Sequence, residues 1–330
     1  MLKLLSLVVL IAAAVGGIYF YMNFDAEVQQ DEDGQKYVTI RPRDGATLPL
    51  IGSTGSDTTA TTVPAGSPIR IASFHLGRLD SQKLSNRRAS DVLTRVIAQF
   101  DLVAIQGAQT GNQGLLLMWN EQLRTTGRAY VFANYPGVEH CAFIFDRNRI
   151  EIDRSTLRPI RDPTGQLRYE PLTALFRVRG PAEDEAFTFK VVNVYTDPTR
   201  SAVEMALVDD AYRAARDNAP VEDDVLLLGD VGSDIDQLEA WGEMLNLTSA
   251  CPEPTEAMRG FRTADRLLID RRATTEYSGR GETLDLMRQF ELSQQAVFEV
   301  SDHLPIWAEF SPYEGGQSGY MANRPATIDR

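Results

Sequence analysis

Val225-Leu226-Leu227-Leu228-Gly229-Asp230-Val231-Gly232 is the stretch that decides the fold. Four apolar residues in a row, with no polar alternation, make a strand buried on both faces, and that requires a sheet covered from both sides. The run stops at a glycine and an acid, the kind of polar strand end where layered α/β domains build their sites. On the N-terminal side, residues 201–216 read as a helix, with Ser201 and Glu204 at capping-box spacing. On the other side, Leu238, Trp241 and Leu245 mark a second helix. Further out, Ala89, Val92, Leu93, Val96, Ile97 and Phe100 share one helical face of residues 87–100. A helix is also expected at 115–123. Strands are expected at 69–76, 102–105, 142–145, 172–178, 187–194, 266–269 and 304–310. Helices alternating with strands point to a layered α/β or α+β domain and exclude an all-β fold.

The rest of the chain has a different character. Residues 4–22 carry no charge, with Lys3 before them and Asp25, Glu27, Asp31, Glu32 and Asp33 after. As a helix such a run spans about 28 Å, near the hydrocarbon thickness of a bilayer. The charge asymmetry places the N-terminus in the cytoplasm and the remainder across the membrane. The expectation is a single-pass anchor at 1–24; the competing reading is a cleaved signal peptide ending near Ala12-Ala13-Ala14. Residues 25–68, acidic and then rich in Gly, Ser and Thr, read as a tether with one short strand at 36–43. Residues 313–330 read as a loose tail. The folded domain is thus expected at 69–312.

Acids outnumber bases by 46 to 33, a net charge of −13, which argues against strong nucleic-acid binding through a basic face. Two cysteines, Cys141 and Cys251, are too few for a disulfide scaffold and have no metal-binding spacing. Whether they pair is open at this point.

The polar strand ends form an ordered series. They are Ser73-Phe74-His75, Ile105-Gln106-Gly107, Glu139-His140-Cys141, Tyr169-Glu170-Pro171, Asn193-Val194-Tyr195, Gly229-Asp230-Val231-Gly232, Ala264-Asp265-Arg266 and Ser301-Asp302-His303-Leu304-Pro305. This series resembles the endonuclease/exonuclease/phosphatase superfamily, in its deoxyribonuclease I-like branch, over nearly all of residues 69–310. The resemblance implies a four-layer α/β/β/α sandwich that hydrolyses phosphodiesters with Mg²⁺. In that chemistry a carboxylate holds the cation, acid-paired histidines move protons, and amides bind phosphate or orient water.

Position by position, the implied machinery is incomplete. Gly107 stands where the resemblance implies the metal-binding Glu, Tyr195 where it implies a catalytic His, and Gly232 and His75 where it implies asparagines. Asp230, Asp302 and His303 match as catalytic positions; Glu139, His75, Tyr195 and Asp265 would face substrate. Each has a structural reading too. Asp230 fits a turn cap, Asp265 an ion pair with Arg266, Asp302 a buried partner of His303, and His75 a packed ring. The expected function is a membrane-anchored binding or scaffolding module without catalysis or cofactor. Its ligand is a protein or a phosphate-containing molecule. The alternative is an active phosphodiesterase or nuclease with a rearranged site, using Mg²⁺ or Mn²⁺. In it Asp230 and Glu139 hold the metal, joined by His75 or His303.

Overall fold

The computed structural model of the chain describes residues 24–30, 36–42, 66–108, 113–197, 199–218, 220–232, 239–242, 245–251, 260–261 and 264–317. It divides into two compact units, residues 1–59 and 60–330. In the first, strands β1 (Phe24–Gln30) and β2 (Lys36–Pro42) form an antiparallel hairpin pairing Phe24 with Pro42 and Gln30 with Lys36. The acidic part of the expected tether therefore carries two paired strands, because Tyr37, Val38, Thr39 and Ile40 are good strand formers. The expected membrane span at 4–22 lies outside the described residues; among those described, no helix is long and apolar enough to cross a membrane.

The second unit is a sandwich of two six-stranded sheets. One has the order β13-β14-β3-β4-β6-β5 and the other β11-β12-β10-β9-β8-β7. In the first sheet β3 (Ile69–Leu79) lies parallel to β4 (Leu102–Ala108) and antiparallel to β14 (Ile306–Phe310). Beyond β4 lie β6 (His140–Asp146) and β5 (Tyr130–Ala133), and β13 (Tyr277–Thr283) forms the other edge. In the second, β10 (Val225–Asp230) lies parallel to β9 (Thr188–Tyr195) and antiparallel to β12 (Asp265–Asp270). Strands β11 (Leu247–Ser249), β8 (Leu172–Val178) and β7 (Ile150–Pro159) complete it.

Three apolar layers follow from this arrangement. Phe143, Phe176, Phe189, Leu226, Leu228 and Phe310 fill the space between the sheets. The outer face of the first sheet is covered by α1 (Ser81–Ser85), α2 (Arg87–Ile97), α3 (Gln113–Arg124), α5 (Leu286–Phe290) and α6 (Gln294–Val300), with Trp119 and Phe100 in the layer. On the second sheet, Met205, Val208 and Tyr212 of α4 (Ser201–Asp217) and the buried Trp241 pack on Leu227 and Val192. Alternate residues of 225–228 thus point into different layers, which is why the whole run is apolar. The result is the expected four-layer α/β/β/α sandwich.

Some local expectations differ. The helix α4 has Arg200, not Ser201, as its N-cap. Glu204 is fully buried instead and accepts from the backbone N–H groups of Asp197 (2.7 Å) and Arg168 (3.1 Å). The segment after β14 is not loose at its start: Phe187 N–H donates to Pro312 O, Glu314 N–H donates to Glu185 O, and Tyr313 bridges Ala186. Cys141 and Cys251 are separate free thiols, each pushed up to about 12 by burial.

Candidate functional site

The C-terminal ends of β3, β4, β9 and β10 meet where the two sheets converge. Asp230 is set between Tyr195 on β9 and Asp265 on β12 by strand register. Gly229, at φ +132°, is required there because a Cβ would fall 1.9 Å from Val194 O. From the first sheet, His75 arrives beside Gln106. His303 comes from the segment before β14, positioned by Ser301: its hydroxyl donates to His75 O (2.7 Å) and accepts from His303 N–H (3.0 Å).

His75, Asp230 and His303 each place a ligating atom within 4.8 Å of the others, and their exposures are 6, 3 and 0 %. His303 Nδ1 lies 2.5 Å from Asp265 Oδ2. A carboxylate only accepts, so Nδ1 carries the proton. Burial works against the imidazolium, but Asp265, then Asp230 and Asp302, outweigh it and hold the His303 pKa above its ordinary value. Nε2 of His303 has no hydrogen-bond partner among the described residues. Its buried carboxylate partner is Asp265, not Asp302 as expected: Asp302 is half exposed and 4.0 Å from Nε2. Arg266 donates to the Asp265 backbone carbonyl (2.9 Å), and the Asp265 carboxylate engages His303. Asp230 does cap a turn, accepting from Gly232 N–H (3.2 Å).

His75 packs face-tilted on His303 (4.1 Å between centroids) and on Tyr195 (4.8 Å). Tyr169 stacks on Tyr195 at 4.7 Å and 15°, and His140 packs on Tyr169 at 4.7 Å. Arg168 lies over Tyr169 and pairs with Asp197 at 2.8 Å. Tyr169, which opens one of the strand-end strings without an assigned role there, is a neighbour of the site. Glu139 does not join the cluster. Its side chain is 71 % exposed and reaches only to 3.9 Å from His140 Nε2.

Below the cluster, Gln106 Nε2 donates to Asn193 Oδ1 (2.8 Å) and Ser73 Oγ (3.1 Å). Asn193 Nδ2 in turn donates to Ile105 O and Ala142 O. This fully buried amide pair bolts one sheet to the other directly beneath the site. Gly107 follows at φ +75°, and a Cβ there would fall 2.1 Å from Gly77 O and 3.2 Å from His75 Cε1. Register shifts in both β3 and β4 accompany this approach. Position 107 has therefore lost its room as well as its side chain.

The donor set does not suit Mg²⁺, which prefers oxygen ligands in octahedral geometry. His75 Nδ1 accepts from Gly77 N–H (3.2 Å), which puts the neutral ring's proton on Nε2 and leaves neither nitrogen as a lone-pair donor. His303 is biased toward the cation. Asp230 alone offers carboxylate oxygen within the cluster.

No family model matches the chain. It is 22% identical over 261 residues to deoxyribonuclease gamma of Rattus norvegicus, covering 72% of this chain and 83% of that protein. It is also 22% identical over 260 residues to deoxyribonuclease-1 of Sus scrofa, covering 72% and 90%. Among solved structures, the human Nocturnin catalytic domain with a bound sulfate anion aligns with a TM-score of 0.50 at 16% identity, covering 76% of this chain and 97% of that one. An endonuclease/exonuclease/phosphatase from Bacteroides vulgatus gives 0.50 at 14% identity, with coverages of 75% and 100%. The sequence relatives, the sandwich and the ordered strand-end residues converge: the chain is similar in sequence to deoxyribonucleases of the deoxyribonuclease I type and has the fold of the endonuclease/exonuclease/phosphatase proteins.

Proposed function

We propose that this domain is a binding or scaffolding module that keeps the fold of the phosphodiesterases and not their catalysis. The observation that carries the reading is the Gly77 carbonyl, which takes the place of a side chain at position 107. The Tyr195–Tyr169 stack over His75 supports it, since a phenol with a pKa of about 10 is a poor base at neutral pH. A missing general base costs a factor of about 10²–10⁴, and a missing charge-stabilising group about 10²–10³. A membrane anchor at residues 4–22, with the domain beyond the cytoplasm, belongs to the same proposal and rests on the uncharged run and its flanking charges. The ligand class is protein or a phosphate-containing molecule.

One observation favours the other reading. The His303–Asp265 pair beside Asp230 and His75 is an acid–base constellation in its own right, and a rearranged phosphodiesterase would use it. Assay of the full chain on DNA and on an activated phosphodiester, with Mg²⁺, Mn²⁺ and Zn²⁺ in turn, separates the two. The module shows no turnover above background. Metal-dependent turnover lost in Asp230→Asn or His303→Ala establishes the enzyme.

A further inference from the structure

The outer face of the second sheet is not uniformly apolar. Leu172, Ala174 and Phe176 of β8 and Phe189 and Val191 of β9 point between the sheets, which turns Thr173, Leu175, Lys190 and Val192 outward. Met205, Val208 and Tyr212 of α4 cover Val192. At the last turn of that helix the sheet opens into a cavity of about 510 Å³, the size of a small-molecule site. Arg158, Arg161 and Lys190 line it, and none of its described lining residues is acidic, in a chain of net charge −13. Arg158 stands opposite Thr173 in the β7–β8 register, and Lys190 opposite Leu175 in the β8–β9 register.

Lys190 is 4 % exposed, and its ammonium donates to the carbonyl oxygens of Ala215, Asn218 and Pro220, which belong to the same lining. Those bonds occupy its donors and fix the charge in place. Burial and the like charge of Arg158, against Glu222 and Asp217, push its pKa down to about 8, so the group is still a cation at pH 7. Arg161 pairs with Glu170 at 2.7 Å in an exposed position. Thr173 is 4 % exposed, and its hydroxyl has no hydrogen-bond partner among the described residues. Such a buried polar group costs free energy until a ligand or a water engages it.

These features select a ligand. Like charges gathered beside an unpaired hydroxyl suit an anion with several acceptor oxygens. A phosphomonoester carries a charge of about −1.5 to −2 at pH 7 and three such oxygens, which a guanidinium meets with paired hydrogen bonds. Ile160, Leu175 and Ala214 give the same cavity apolar walls for an uncharged body beside the phosphate.

We infer that this cavity binds the phosphomonoester of a small, partly apolar molecule. Arg158 and the Thr173 hydroxyl meet the phosphate, Lys190 supplies fixed positive charge, and Ile160, Leu175 and Ala214 face the body. The inference is independent of whether the candidate site is catalytic.

The test uses the full chain with a chelator in phosphate-free buffer at pH 7, titrated by calorimetry with phenyl phosphate, inorganic phosphate and benzyl alcohol in turn. Phenyl phosphate should bind with a Kd below about 1 mM, inorganic phosphate about tenfold more weakly or worse, and benzyl alcohol without heat. Arg158→Glu, at an exposed position, should weaken phenyl phosphate binding by about tenfold or more, and Thr173→Val, of the same shape, by about threefold. Because His303 is also held toward its cationic form, the titration is repeated in His303→Ala, where the binding should persist. No heat at about 10 mM phenyl phosphate would overturn the site, as would binding of unchanged strength in Arg158→Glu. Binding lost in His303→Ala but kept in Arg158→Glu would place the phosphate at the candidate site and overturn it equally. Inorganic phosphate binding as tightly as phenyl phosphate would overturn the role given to the apolar walls.

Discussion

The carbonyl oxygen of Gly77 occupies the space that a side chain at Gly107 would enter, 2.1 Å from where its Cβ would stand. The ends of β3 and β4 approach each other closely here. The closure is backbone against backbone, so a side-chain rotation cannot relieve it. Gly107 also has φ +75°, a region that costs an L-residue about 1–2 kcal/mol before any clash.

Restoring a glutamate at 107 therefore restores nothing. Gly107→Glu should destabilise the chain by about 2 kcal/mol or more, combining the conformational cost with the strain of overpacking. Adding Tyr195→His should not bring hydrolysis above background. Urea unfolding and a phosphodiesterase assay check both halves.

The Asp265–His303 pair makes stability depend on pH. The folded His303 pKa is raised, so its contribution is fully present below the unfolded value near 6.5 and is lost as pH rises through the folded value. An NMR titration of the His303 imidazole should find a midpoint above 6.5. Asp265→Asn should lower that midpoint and flatten the decline in stability above pH 6.5. An unmoved midpoint would show that Asp265 is not what holds the proton.

How much of this is legible in the sequence depends on how local the cause is. Residues 225–228 show themselves because both faces are buried and every position is apolar, and residues 172–178 because the strand is apolar but for Thr173 and Arg177. The strands β7 and β13 do not. Glu151, Asp153, Arg154 and Arg158, and Tyr277-Ser278-Gly279-Arg280, carry no apolar run because both strands are sheet edges with irregular pairing. The meeting of His75, Asp230, Asp265 and His303 follows from the order of the strand ends. The Gly77 approach to Gly107 and the burial of Glu204 do not, since each depends on where a distant backbone segment lies. Asp224, Glu276 and Glu314 read singly as surface acids, and only the fold brings them together across ninety residues of chain.

The amide bridge under the site should be worth more as a pair than either half suggests. Asn193 caps two carbonyls of the opposite sheet while holding Gln106. Truncating it leaves buried acceptors unsatisfied, at about 1–3 kcal/mol. Asn193→Ala and Gln106→Ala should each destabilise by that order, and the double variant by clearly less than the sum, because each alone orphans the other. Additive losses in a double-mutant cycle would mean that the two amides act separately.

Mg²⁺ should find no purchase at the candidate site. Asp230 is the carboxylate of the His75–Asp230–His303 cluster, Asp265 is engaged by His303, His75 already accepts from Gly77, and His303 favours the protonated form that repels a cation. A ligand present at its own Kd stabilises by about 0.4 kcal/mol, which for a domain of this size is a Tm rise of about 1 °C. At about 1 mM Mg²⁺ the Tm of the chain should move by less than that, so the Kd lies above about 1 mM. A rise of several degrees, lost on Asp230→Asn, would instead mark a working metal site and turn the reading of the domain toward the rearranged enzyme.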